Sequence, residues 1–248
     1  MHSIRLLKLL AETGFGSRRK LAGIIAQGRV EVNGVVVEDF KHPVHPLVDQ
    51  ITVDGKEITV SQHQPLYLML NKPAGMITTT NDEKGRQNVL DVVPDKYKTS
   101  RLYPVGRLDR DSTGLLLLTN DGDLTYRLTH PKFEHEKEYL VEINGTLNAN
   151  ERQILEKGID LPDGKTAPAE IKVIRKTPPF NYSITIHEGR NHQVRRMFAQ
   201  LGYEVKALKR IRVGNLYLRK LKEGNVRELT DEEITGLISL NLQKPENR

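Results

Sequence analysis

Four consecutive leucines, Leu115 to Leu118, run directly out of a charged, glycine-bounded loop, Gly106-Arg107-Leu108-Asp109-Arg110-Asp111-Ser112-Thr113-Gly114, and stop at Thr119-Asn120-Asp121-Gly122. So short an apolar run falls far below the roughly 20 residues of a membrane span and fits a buried strand. The loop's carboxylates are therefore expected at the rim of a core, on the rigid kind of support that a catalytic side chain needs. The chain has 248 residues, of which 37% are hydrophobic and 28% charged, enough for one large domain or two smaller ones with a real core. It has no cysteine, which excludes disulfides, thiolate metal sites and a cysteine nucleophile and suits a reducing compartment. Met1 opens on a polar sequence without a signal-peptide core, so the chain is expected to be soluble and cytoplasmic.

Charge is unevenly placed. The overall balance is +6, yet residues 1–30 carry six basic residues and one acidic, and residues 189–222 carry ten and one, so the rest of the chain is acidic. Two concentrated basic segments on an acidic background are the footprint expected of a polyphosphate partner, because each neutralised phosphate releases condensed counterions.

Punctuation divides the chain. Leu6, Leu7, Leu9 and Leu10 stripe a short helix closed by Gly14; Ser17 caps a second, with Leu21, Ile24 and Ile25 at helical spacing before Gly28. Alternating strands follow around the turn pairs Asn33-Gly34 and Asp54-Gly55. Arg5, Lys8, Arg18, Arg19, Lys20 and Arg29 crowd this first unit, residues 1–60. A polar linker is expected at 61–65, a larger domain at 66–240 and a tail at 241–248. In the larger domain, strands are expected at 66–71, 101–105, 114–119, 138–143, 169–174, 182–187 and 204–213. Helices are expected at Asn148–Lys157, at Asn191–Leu201 with Asn191 as cap, and after a Thr230/Glu233 capping box with Ile234, Leu237 and Ile238 facing inward. The irregular mixture makes the fold class α+β.

Three chemistries could use the carboxylates of the loop. Asp109, Asp111, Thr113 and Gly114 match the start of a calcium loop, but the twelfth position, which requires a bidentate Glu, is Asn120. A glycosidase pair fits poorly with a chain that has no Trp and 5% aromatics, and with two aspartates so close in sequence. A single nucleophilic or electrostatic aspartate acting at a nucleoside explains the basic segments as well. The histidines beside prolines, His42, His45, His130 and His135, read as ordinary loop residues, and no metal site is expected.

Gly106-Arg107-Leu108-Asp109 with Thr113-Gly114-Leu115-Leu116-Leu117-Leu118-Thr119-Asn120-Asp121-Gly122 resembles the signature of the bacterial ribosomal RNA pseudouridine synthases of the RsuA-like family. Asn71-Lys72-Pro73-Ala74-Gly75 resembles that family's first motif and Lys137-Glu138-Tyr139 its tyrosine motif. Glu188-Gly189-Arg190-Asn191-His192-Gln193-Val194-Arg195-Arg196-Met197 resembles its arginine motif. The first unit is similar to a small RNA-binding domain found in a ribosomal protein and in tyrosyl-tRNA synthetase. The likeness spans roughly residues 3 to 240.

The resemblance implies a mixed, largely antiparallel sheet and a cofactor-free isomerisation in which uracil leaves its ribose, turns and reattaches through carbon 5. By motif position Asp109 would be the catalytic aspartate, Arg195 its guanidinium partner and Tyr139 the ring that packs on the base. Arg107 would enter the stack as the base leaves, and Arg5, Lys8, Arg18, Arg19, Lys20, Arg29, Lys72, Arg190 and Arg196 would meet RNA. His192 is closer to small-subunit members, whereas Arg195-Arg196, Leu208-Lys209-Arg210 and Arg227-Glu228-Leu229-Thr230 lean to the large-subunit branch. Large-subunit ribosomal RNA or an assembling particle is therefore the expected substrate, with small-subunit RNA second; the protein is expected to be a monomer. The rival class is a non-catalytic RNA-binding assembly factor.

Overall fold

The computed structural model describes residues 3–58 and 64–242, so residues 61–63 of the expected linker and 243–248 of the expected tail lie outside the described residues, while 241 and 242 belong to the last helix. The chain divides into two compact units, Met1–Pro65 and Leu66–Arg248, and each is α+β.

In the first unit α1 (Leu6–Glu12) and α2 (Arg18–Ala26) follow the apolar spacing, and the Ser17 hydroxyl accepts from the Lys20 amide at 3.3 Å as the N-cap. The strands Val30–Val32, Val35–Val36, Ile51–Val53 and Lys56–Glu57 form one sheet. Its two tight turns are the expected pairs, with φ values of 52° and 81° at Asn33-Gly34 and 51° and 74° at Asp54-Gly55. Leu6, Leu10, Leu21 and Ile25 have no exposed surface, and burying each contributes about 1.5–3 kcal/mol.

The second unit is built on a nine-stranded sheet. Its main path runs Glu170–Val173, Tyr182–Ile186, Lys137–Ile143, Val205–Val213, Thr113–Thr119, Tyr67–Lys72 and Val226–Glu228. Every pairing is antiparallel except one: Val205–Val213 runs parallel to Thr113–Thr119, and only at Lys209↔Thr113 and Arg210↔Gly114. The leucine run lies beside the central strand Val205–Val213 of this sheet. Leu116 and Leu118 enter one apolar core with Leu68, Leu70 and Val141, while Leu115 and Leu117 enter the other with Met69, Leu124 and Leu128. A strand buried on both faces can be continuously apolar.

Four further helices are α3 (Gly122–Thr129), α4 (Ala149–Lys157), α5 (Gln193–Ala199) and α6 (Asp231–Leu242). Residue spacing does not single out α3, which is eight residues long and starts where the Asp121 carboxylate accepts from the amides of Asp123 and Leu124. Two expectations are corrected. α5 has no side-chain cap: Asn191 lies before it, and the N-cap is His192 in the left-handed region at φ 51°. Ile238 is 43% exposed rather than inward, whereas Leu237 is fully buried and the Thr230/Glu233 capping box is formed. No helix among the described residues is long and apolar enough to cross a membrane.

Gly114 sits at the single parallel contact with φ 100°, and a Cβ there would lie 2.2 Å from the Arg210 carbonyl oxygen. Gly114→Ala is therefore expected to lower stability by about 3 kcal/mol or more, read as a lower urea midpoint at unchanged slope.

Candidate active site

The strands Thr113–Thr119 and Val205–Val213 touch over two residue pairs only, and beyond that contact a cavity of about 700 Å3 opens. Asp109, Arg107, Lys137, Tyr139, His192 and Arg210 are among the residues that line it. The volume lies in the roughly 300–1,000 Å3 range of small-molecule sites.

Asp109 stands on the loop just before the leucine strand, its side chain 28% exposed. The loop is tied from below. Lys72 has no exposed surface, and its ammonium donates to the carbonyls of Pro73 at 2.9 Å, Arg110 at 3.0 Å and Ser112 at 2.8 Å. The Gly75 amide donates to the Arg110 carbonyl at 2.9 Å, and the Thr78 hydroxyl donates to the Leu108 carbonyl at 2.7 Å. Burial pulls the Lys72 ammonium down to about 8, against the opposing pull of Asp111, Asp109 and Glu223. Lys72 is thus corrected from an RNA contact to an internal tie, because its three donors already meet carbonyl oxygens.

Tyr139 is 8% exposed and, two residues after Lys137, shares its side of the strand. Lys137 donates to the His135 carbonyl at 3.0 Å; burial and the neighbouring Arg210 push it down to about 8, against Glu188. Arg210 is 4% exposed and donates through Nε to the Leu115 carbonyl at 2.8 Å, bridging the two strands whose separation opens the cavity.

The loop after Ile186 and the start of α5 close the far wall. Gln193 is buried and donates to Glu188 at 2.6 Å, and Glu188 also accepts from the Ala167 amide at 3.0 Å. Arg190 donates to Glu188 at 3.0 Å and to the carbonyls of Gly164 and Lys165, each at 2.7 Å. Arg196 holds Asp163 at 2.9 and 3.0 Å. Both guanidinium groups, expected on RNA, bond to groups of the protein itself while remaining partly exposed. Arg195 lies on α5 and its Nη1 donates to the Val205 carbonyl at 2.8 Å, outside the cavity lining, while the basic side chain beside Asp109 is His192, its Nε2 3.6 Å from Oδ1.

Spacing alone did not single out His192, Lys137 or Arg210. Alternation along Lys137-Glu138-Tyr139 was the available signal for Lys137; for Arg210 there was none, because its role depends on a strand 95 residues away.

In the first unit Arg18, Arg19 and Lys20 form the first turn of α2 and are exposed, without an acidic residue in that turn. Cations at a helix N-terminus oppose its dipole by about 0.3–1 kcal/mol each. Arg29 is held by Asp54 at 2.8 and 2.6 Å, and Lys8 pairs with Glu12 at 3.8 Å.

Comparison with known proteins agrees with this architecture. Residues 66–200 match the family of RNA pseudouridylate synthases and residues 4–46 match the S4 domain. The ribosomal large subunit pseudouridine synthase B of Bacillus subtilis is 45% identical over 241 residues, covering 95% of this chain and 96% of that protein. An uncharacterised RNA pseudouridine synthase of Aquifex aeolicus is 39% identical over 239 residues, covering 96% of this chain and 94% of that protein. A crystal structure of a pseudouridylate synthase superposes with a TM-score of 0.68 at 35% identity, covering 95% of this chain and all of that one. The chain belongs to the RNA pseudouridylate synthase family, with an S4 domain ahead of the synthase domain.

Removing the tie beneath Asp109 tests whether the loop depends on it. Lys72→Met is expected to lower stability by about 3 kcal/mol or more, since three carbonyls lose their donor, and to lower turnover by about tenfold beyond any loss of folded protein. Urea unfolding and a turnover assay on the folded fraction check the two effects separately.

Proposed function

We propose that the protein isomerises a uridine of ribosomal RNA, in the large subunit, to pseudouridine, with Asp109, Tyr139 and Arg195 as the reacting site. The observation that carries the proposal is a half-buried carboxylate, on a loop held by an internal ammonium, facing a cavity of nucleotide size. The nitrogen 1 to carbon 1′ bond breaks, a bond from carbon 5 to carbon 1′ forms, and the proton on carbon 5 leaves while nitrogen 1 gains one. A carboxylate at the sugar can attack carbon 1′, stabilise positive charge there or accept a proton from the ribose, and in each route Asp109 is the group that meets the ribose. Tyr139 packs on the base, and Arg195, whose Nη1 donates to the Val205 carbonyl, is the guanidinium assigned to Asp109 by motif position. Arg107, exposed at the mouth, fills the gap left in the RNA.

The 45% identity to a large-subunit enzyme supports the choice of RNA. The exposed basic turn of α2 supports a docking role for the first unit. A non-catalytic assembly factor would have no need of a carboxylate held at the cavity.

Asp109→Asn is expected to abolish tritium release from 5-tritiated uridine in large-subunit ribosomal RNA while RNA affinity stays within about twofold; turnover at the normal rate in that variant refutes the site. Replacing Arg18, Arg19 and Lys20 together by Ala should weaken binding and reduce the slope of log Kd against log salt by up to about three, one for each phosphate no longer neutralised. An unchanged slope excludes these residues from the RNA interface.

A further inference from the structure

The rim of the same cavity carries a group of rings that the site described above does not use. Tyr126 on α3 lies 4.9 Å from His130, centroid to centroid, tilted by 56°, and 5.8 Å edge-on from Phe133. Phe133 in turn stacks on His135 at 6.2 Å and 26°. The Lys132 ammonium sits 4.7 Å from the Phe133 centroid and 5.5 Å from that of Tyr126.

Such a cluster would ordinarily be a small core, but here it is not. Tyr126 is 48% exposed and His130 is exposed, and His130 lines the cavity together with Asp109 and Arg107. His130 is also fixed in orientation, because its Nδ1 accepts from the Lys132 amide at 3.2 Å, capping the turn Pro131–Phe133. An exposed ring held still by a cap and a neighbouring ring is preorganised to receive a flat partner. Lys132 and Arg107 make the surroundings attractive to RNA, and the Glu134 carboxylate on the same turn disfavours a phosphate there, so a base is the part of RNA the rings suit.

We propose that Tyr126, His130 and Phe133 form a stacking platform that takes the unpaired base next to the uridine in the cavity, with His130 the ring that base meets. The proposal rests on the reading that the cavity admits an RNA nucleotide. It assigns the platform a part in RNA binding and none in the isomerisation.

The test uses two RNA hairpins whose loop uridine is flanked by 2-aminopurine on the 5′ or the 3′ side, with the full-length protein. Stacking on the platform quenches the fluorescence of one of them. Two substitutions separate stacking from capping: His130→Phe keeps a ring and loses the cap, while His130→Asn keeps a capping side chain and loses the ring. Wild type is expected to quench, His130→Phe to keep most of the quenching because Tyr126 still supports the ring, and His130→Asn to lose most of it and bind about tenfold more weakly. Quenching by neither probe with wild type, full quenching by His130→Asn, or equal losses in both variants would overturn the platform. Asp109→Asn is expected to quench like wild type; were that variant to turn over normally, the assignment of Asp109 would fail while the platform stood on its own result.

Discussion

The ammonium of Lys72 lies out of reach of solvent at the end of the strand Tyr67–Lys72, and two of its three bonds, to Arg110 and Ser112, tie that strand to the loop that carries Asp109. Burying a charge is unfavourable unless its donors are satisfied, and three carbonyl oxygens within 3.0 Å satisfy them all. The arrangement is stiff for the same reason: the loop cannot move without leaving a buried ammonium short of acceptors. The placement of Asp109 thus depends on a residue 37 positions earlier, and the leucine strand that follows it is locked between two cores.

A second constraint is the short parallel contact at Gly114 and Arg210. A side chain cannot fit at Gly114 where the two backbones meet, so glycine is required there, and the pairing does not continue beyond these residues, where the cavity lies. Arg210 bridges the two strands with a bond to the Leu115 carbonyl, so a guanidinium is used as a strut. The same holds for Arg190 and Arg196, which bind the hairpin turn at Asp163–Lys165 to the wall of the cavity. Much of the positive charge in residues 189–222 therefore holds the protein together, whereas Arg18, Arg19 and Lys20 stand exposed on α2.

Elements marked by local chemistry were legible in advance. The turns at Asn33-Gly34 and Asp54-Gly55, the Ser17 cap, the Thr230/Glu233 box and the leucine strand each depend on a few adjacent residues, and each appears in the structure. α3 was not legible, because its eight residues bury only Leu124 and Leu128 and its cap also belongs to a bond with Tyr67. The position of Asp109 could be read from its loop and strand; the cap of α5 could not, since Asn191 is as good a capping residue as any and only the path of the loop gives the place to His192.

The order of residues alone determined the two units, the buried strand and the carboxylate before it, because hydrophobic period and turn chemistry act over a few residues. Only the tertiary structure decided which cations bond within the protein, which rings gather beside the cavity and that His192 stands 3.6 Å from Asp109. Those outcomes depend on contacts between segments tens of residues apart, and a charge has no preference between a phosphate outside and a carbonyl inside until the fold has set the distance.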